Sequence, residues 1–163
     1  MDKLQWIQNK VYDREQLRRQ CNIWRSLGKK IVFTNGCFDI LHHGHLQLIA
    51  TAANMGNVLV VGLNTDNSVK KLKGEGRPVV HEQDRLFQMA SLLCTDAVCL
   101  FDQDTPEELI KMVRPDVLVK GGDYTIDTIV GADFVQGYGG RVEIVPFVAG
   151  YSTSALIDNI KKL

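Results

Sequence analysis

Five short apolar runs punctuate the chain: Ile31-Val32-Phe33, Val58-Leu59-Val60-Val61, Ala97-Val98-Cys99-Leu100-Phe101, Val117-Leu118-Val119 and Val142-Glu143-Ile144-Val145. Most are continuous rather than alternating, as strands buried on both faces must be. Stretches of helical periodicity separate them. Leu46, Ile49, Ala50 and Ala53 follow the i, i+3, i+4, i+7 spacing, and Leu86, Phe87, Ala90 and Leu93 repeat it. Strands that need cover on both faces, alternating with helices that must bury one stripe, predict right-handed crossovers and an α/β doubly wound parallel sheet of about five strands with helices on both faces.

The helix signals are specific in places. Asp13-Arg14-Glu15-Gln16 can start a leading helix through Leu17, Cys21 and Trp24. Thr105-Pro106-Glu107-Glu108 predicts a helix with Thr105 as N-cap, Pro106 at the first helical position and Leu109, Ile110 and Val113 as its stripe. Ser152 can cap a last helix bearing Ala155, Leu156 and Ile160. No repeat or Pro/Ser-rich linker interrupts the 163 residues, so one domain over 1–163 is expected, with a leading helical segment over 1–28 and the core over 29–163.

Charge and cysteine usage narrow the function classes. Nineteen Lys plus Arg balance nineteen Asp plus Glu, which removes the electrostatic footprint of a nucleic-acid or anionic-membrane binder. Any polyanion bound should be small. The cysteines, at 21, 37, 94 and 99, form no C-x-x-C pair and suggest reduced thiols rather than a disulfide framework or a metal site. The amino-terminal residues lack a signal-peptide pattern, and the apolar runs are far shorter than the ~18 residues that span a bilayer. A soluble, cytoplasmic protein is expected.

In such sheets, ligands bind beyond the carboxyl ends of the strands, where the winding direction reverses. The segment Thr34-Asn35-Gly36-Cys37-Phe38-Asp39-Ile40-Leu41-His42-His43-Gly44-His45 follows the first strand and runs into the first amphipathic helix, and it holds three of the four histidines. If the helix begins near His42, His42 and His45 share one face while His43 points roughly 100° away. Two imidazoles and the free N–H groups of a first helical turn suit phosphate. Gly36 lets the backbone approach it closely. A histidine zinc site is disfavoured, because no cysteine or carboxylate lies at a matching helical offset.

Gly36 through His45 match the G-x-F-D-x-x-H-x-G-H signature and resemble the HxGH nucleotidyltransferases, a family that includes cytidylyltransferases. Val61-Gly62-Leu63-Asn64-Thr65-Asp66, Leu72-Lys73-Gly74-Glu75-Gly76-Arg77-Pro78-Val79, Val119-Lys120-Gly121-Gly122-Asp123-Tyr124 and Gly150-Tyr151-Ser152-Thr153-Ser154 are similar to one branch, the D-glycero-D-manno-heptose 1-phosphate adenylyltransferases. The similarity runs from about Gly28 to Leu163. In that branch the domain is often the C-terminal half of a bifunctional protein with a sugar kinase half, and this chain resembles the stand-alone form.

The resemblance implies a Rossmann-like fold and a reaction in which ATP and a sugar 1-phosphate give an ADP-sugar and pyrophosphate. It implies that His42, His45 and Lys73 are catalytic. Thr34, Asn35, Gly36, Cys37, Phe38, Lys120, Gly121, Gly122, Asp123, Ser152, Thr153 and Ser154 would join the histidines in binding nucleotide. Asp39, Asn64, Asp66, Lys73 and Arg77 would face the sugar phosphate, with Arg85 either a further candidate or a surface pair. Mg²⁺ would ride mainly on phosphate oxygens and water, and homodimers are usual among relatives. Cytidylyltransferases of the family carry an Arg where this chain has Phe147, which counts against CTP with glycerol 3-phosphate or a similar acceptor. The rival from another class is a non-catalytic nucleotide sensor, against which the intact histidines argue.

Overall fold

A computed structural model describes residues 2–122, 124–146, 148 and 150–162. Asp123 and Phe147, singled out by the sequence, lie outside the described residues. Five parallel strands, β1 (Ile31–Gly36), β2 (Val58–Asn64), β3 (Ala97–Phe101), β4 (Val117–Gly121) and β5 (Arg141–Val145), form one sheet in the order β3-β2-β1-β4-β5. The expected α/β doubly wound architecture is therefore present, and β1 lies at its centre. The chain winds outward from β1 through β2 to β3, then returns to β4 on β1's other side. The β1/β4 seam is the topological switch point.

Period-two alternation divides each strand between two cores. On one face Ile31, Phe33, Val60 and Leu118 pack with Leu17 and Cys21 of α2 (Arg14–Ser26) and with Leu109, Ile110 and Val113 of α6 (Glu107–Val113). On the other, Val32, Leu59, Val61 and Val119 meet Ile49 and Ala52 of α3 (His43–Ala53) and Leu86, Met89 and Ala90 of α5 (Glu82–Ser91). Among the described residues, no helix is long and apolar enough to cross a membrane.

Four helical expectations shift. The buried stripe of α3 is Ile49 and Ala52, with Leu46 and Ala50 exposed. The reason is docking: the helix meets the sheet through Ile49 and Ala52, with Leu48 beside them, and this leaves 46 and 50 to solvent. Helix α5 ends at Ser91, leaving Leu93 outside it, and Phe87 faces solvent while Arg85 is buried. The cap of α6 is Pro106 rather than Thr105, with no side-chain cap hydrogen bond. On α8 (Thr153–Ile160), Ser152 caps as expected, but Ala155 and Ile160 are exposed. The capping box Asp13/Gln16 opens α2 as read. Three short helices carried too little periodicity to be read: α1 (Lys3–Gln8), α4 (Asp66–Lys73) and α7 (Ala132–Gly137). After α1, Lys10 and Tyr12 hydrogen-bond to Val98, which partly covers the β3 edge.

Candidate active site

The carboxyl end of β1 leads directly into the histidine loop. His42 has extended backbone (φ −141°, ψ 170°), and its Nδ1 accepts from the His45 backbone N–H at 3.4 Å. An accepting Nδ1 carries no proton, so the Nε2–H is the free donor. The two rings stack, with centroids 3.7 Å apart and planes 19° apart. Phe38, in left-handed backbone (φ 44°), lays its ring edge-on to His45 at 5.2 Å. A bulky side chain rarely adopts that backbone, and such strain concentrates at functional sites. Gly44 explains itself here: a Cβ would stand 3.2 Å from the His42 ring. His43 turns away and faces Tyr151.

Both imidazoles are held neutral. Burial pushes His45 down to about 4, helped by the charges of His42 and Lys73 and opposed by the Ile40 backbone. Burial also lowers His42. Two cations at stacking distance would repel strongly, whereas two neutral rings offer N–H donors to an anion. His45 Nδ1 is buried without a hydrogen-bond partner among the described residues.

Facing the pair is the amino terminus of α8, where Ser152 Oγ accepts from Ala155 N–H at 3.1 Å. His42, His45, Lys73, Gly121 and Ser152 to Ser154 line a cleft of about 500 Å³ between the two helix starts. Two helix N-termini, two imidazoles and one ammonium thus converge on one space, a strong attraction for a polyphosphate. Lys73 is the last residue of α4 and exposed.

A second cavity of about 460 Å³ adjoins it, and Asn35, Gly36, Cys37, Phe38, Asn64 and Lys120 line that one. Lys120 donates to Asn35 Oδ1 at 2.7 Å, and burial pushes its ammonium down to about 8, partly opposed by Cys37. Asn64 is buried, donating to Ser68 Oγ at 2.9 Å.

The remaining sequence candidates are placed differently. Asp39 is 1% exposed and accepts from Val79 N–H and Val80 N–H, both at 2.8 Å, and from Arg77 Nε at 2.6 Å. Burial alone would raise its pKa, but the Val80 and Val79 amides and Arg77 outweigh it and hold the carboxylate below its usual range. Asp39 therefore ties the histidine loop to residues 77–80. Thr34 is fully buried within β1 and lines neither cavity. Gly122 is buried and donates to Val145 O. Asp66 is not brought to the cleft: its carboxylate receives Arg85 Nη2 at 2.7 Å and lies 3.3 Å from His81.

Arg85, read as a sugar-phosphate candidate or a surface pair, is neither. Its fully buried guanidinium reaches Val80 O at 3.0 Å, Cys37 O at 2.7 Å, Asn64 O at 2.8 Å and Asp66. It locks the end of β1, the end of β2 and the start of α4 together. The available signal was a charge on the apolar stripe of Leu86, Met89 and Ala90.

For a metal, the donor set is decisive. Among the described residues no three His, Cys, Asp or Glu side chains cluster as a cage, and Asp39, the carboxylate within the histidine motif, is saturated. The described residues do not fit a protein-held Mg²⁺, which demands oxygen ligands.

A family model described as Cytidylyltransferase-like matches residues 33–156. The bifunctional protein HldE of Syntrophotalea carbinolica is 51% identical over 152 residues, 93% of this chain, and that of Caulobacter vibrioides is 56% identical over 148 residues, 91% of this chain. The chain spans 31% of the length of each of these relatives. Among solved structures, the lipopolysaccharide core biosynthesis protein from Thermoplasma volcanium aligns with a TM-score of 0.60 at 26% identity, covering 74% of this chain and 98% of that one. A pantoate-beta-alanine ligase from Francisella tularensis shares the fold, with a TM-score of 0.60 at 14% identity over 91% of this chain and 72% of its own.

Proposed function

The chain belongs to the cytidylyltransferase-like family of nucleotidyltransferases, and from that premise we propose that it transfers AMP from ATP to a sugar 1-phosphate, D-glycero-D-manno-heptose 1-phosphate, releasing pyrophosphate. The observation that carries this reading is the stacked His42/His45 pair at the start of α3, facing the start of α8 across the cleft. The substrate class is supported by the branch motifs from Val61 to Ser154, by the HldE relatives, and by a solved relative named for lipopolysaccharide core biosynthesis.

The sugar phosphate oxygen attacks the α-phosphorus in line. The new O–P bond forms as the bond to the β-phosphate oxygen breaks, and pyrophosphate leaves with the electron pair. The attacking phosphate is already an anion, so no enzyme base or nucleophile is required. Catalysis is positioning plus charge stabilisation. His42 Nε2–H and His45 donate to the α-phosphate and bridging oxygens as charge grows there. Lys73, at the mouth between both cavities, neutralises the phosphates, and the first-turn N–H groups of α8 hold the departing pyrophosphate. Mg²⁺ would enter with ATP and supply charge neutralisation to the triphosphate, while the described residues of the cleft contribute nitrogen and hydroxyl donors. The working enzyme is a cytoplasmic homodimer.

The test is pyrophosphate release from the protein with Mg²⁺, each nucleoside triphosphate and a panel of sugar and polyol phosphates. Turnover with ATP and the heptose phosphate is the expected result. Preference for CTP with glycerol 3-phosphate, or ATP binding without pyrophosphate release, overturns the reading.

A further inference from the structure

Two cavities meet at His45, the inner ring of the stacked pair, and a nucleotide on the α8 side accounts for only one. The second opens over the carboxyl ends of β1, β2 and β3, and the two share a partition that includes His45, Lys73 and Thr153. In-line displacement at phosphorus needs the entering and leaving oxygens on opposite sides of one centre. Cavities on either side of a shared partition have that layout, so the acceptor belongs in the second.

The chemistry of the second cavity agrees. Lys120 projects into it from the end of β4, its ammonium satisfied by a neutral amide, Asn35 Oδ1 at 2.7 Å. Among the described residues no carboxylate lies within ion-pairing distance of it. A desolvated ammonium without a counter-charge gains most from an incoming anion. Leu72, Phe101 and Pro106 form apolar wall, while Asp104 and Tyr124 stand at the exposed rim. An interior cation with a polar rim fits a phosphorylated polyol, phosphate inward and hydroxyls outward.

Resting on the transferase reading above, we propose that this second cavity is the acceptor site and that Lys120, positioned by Asn35, binds the acceptor's phosphate rather than the nucleotide. Burial already disfavours the lone ammonium, so a phosphate there relieves an existing cost. Lys73, at the partition, contacts phosphates of both substrates, whereas Lys120 serves the acceptor alone.

The experiment follows pyrophosphate release with ATP and D-glycero-D-manno-heptose 1-phosphate for the wild type, Lys120→Met and Asn35→Ala, with ATP affinity measured by calorimetry without acceptor. Lys120→Met should raise the acceptor KM at least about tenfold, the loss expected for a hydrogen bond to a charged group, while ATP affinity changes less than about twofold. Asn35→Ala should move in the same direction by less. In the wild type, inorganic phosphate should inhibit competitively against the sugar phosphate. A weakened ATP affinity with an unchanged acceptor KM in either variant overturns the assignment and leaves the transferase reading intact. Should Lys120→Met fail to fold, Asn35→Ala and phosphate inhibition decide, and phosphate competing only against ATP overturns the assignment. A wild type that releases no pyrophosphate with any acceptor overturns the transferase reading and this assignment with it.

Discussion

At the scale of single residues, the site works by withholding protons. His42 is kept neutral by burial, and His45 by burial together with the nearby His42 and Lys73, and a neutral ring already carries the N–H a phosphate needs. Replacing either by Ala should lower adenylyl transfer by about a hundredfold or more, with an unchanged circular dichroism spectrum; wild-type rates would remove the histidines from the mechanism. The pH dependence of stability follows with a definite sign. The unfolded chain gains a proton on His45 near pH 6.5, whereas the folded chain resists until about 4. Stability present above pH 6.5 is therefore lost as pH falls between those values, by at most about 3 kcal/mol. Urea midpoints at pH 7 and 4.5 measure it. His45→Phe should shrink the decline, and an equal decline in that variant would place the proton elsewhere. Lys73→Ala should chiefly raise the Michaelis constants, and unchanged values for both substrates would make it a bystander.

At the scale of elements, two helix starts face one another and are capped by residues that also line the cleft. Ser152 both caps α8 and borders the phosphate space, and two substitutions separate these roles. Ser152→Ala should cost about 1 kcal/mol of stability through the lost cap. Ser152→Asp should keep the cap and weaken ATP binding more, because it sets a negative charge where the triphosphate lies. Equal ATP affinity in the Asp variant would exclude that end of α8 from the site. Arg85 operates at the same scale, joining the ends of β1 and β2 to α4. Arg85→Met strands three carbonyls and the Asp66 carboxylate and should destabilise by about 3 kcal/mol in thermal unfolding. A loss under about 1 kcal/mol would show that the bridge is redundant.

At the scale of the whole molecule, the doubly wound order puts β1 beside β4 and opens the switch point where the histidines, Lys120 and α8 can meet. A nucleotide that binds there only in the folded state should stabilise the chain by about 2.7 kcal/mol at a hundred times its dissociation constant, a rise of about 5–10 °C in melting temperature for this size. No shift with MgATP at such concentrations would remove the nucleotide from the site. Much of this was legible beforehand. The five strands, the Asp13 and Ser152 caps and the nearness of His42 to His45 depend on neighbours within a turn or a strand, so local periodicity carried them. The α3 stripe, the true start of α6 and the short helices α1, α4 and α7 were not, because docking against the sheet chose among nearly equal local options. The sequence by itself determined the layered parallel architecture and the phosphate-seeking loop after β1, since both follow from backbone sterics and side-chain spacing over a few residues. Only the tertiary structure decided that Asp39 and Arg85 brace the loop, that Asp66 is spent on Arg85, and that Lys120 meets Asn35. Those pairings join residues 19 to 85 positions apart, and which distant groups become partners depends on how the whole sheet buries its two faces.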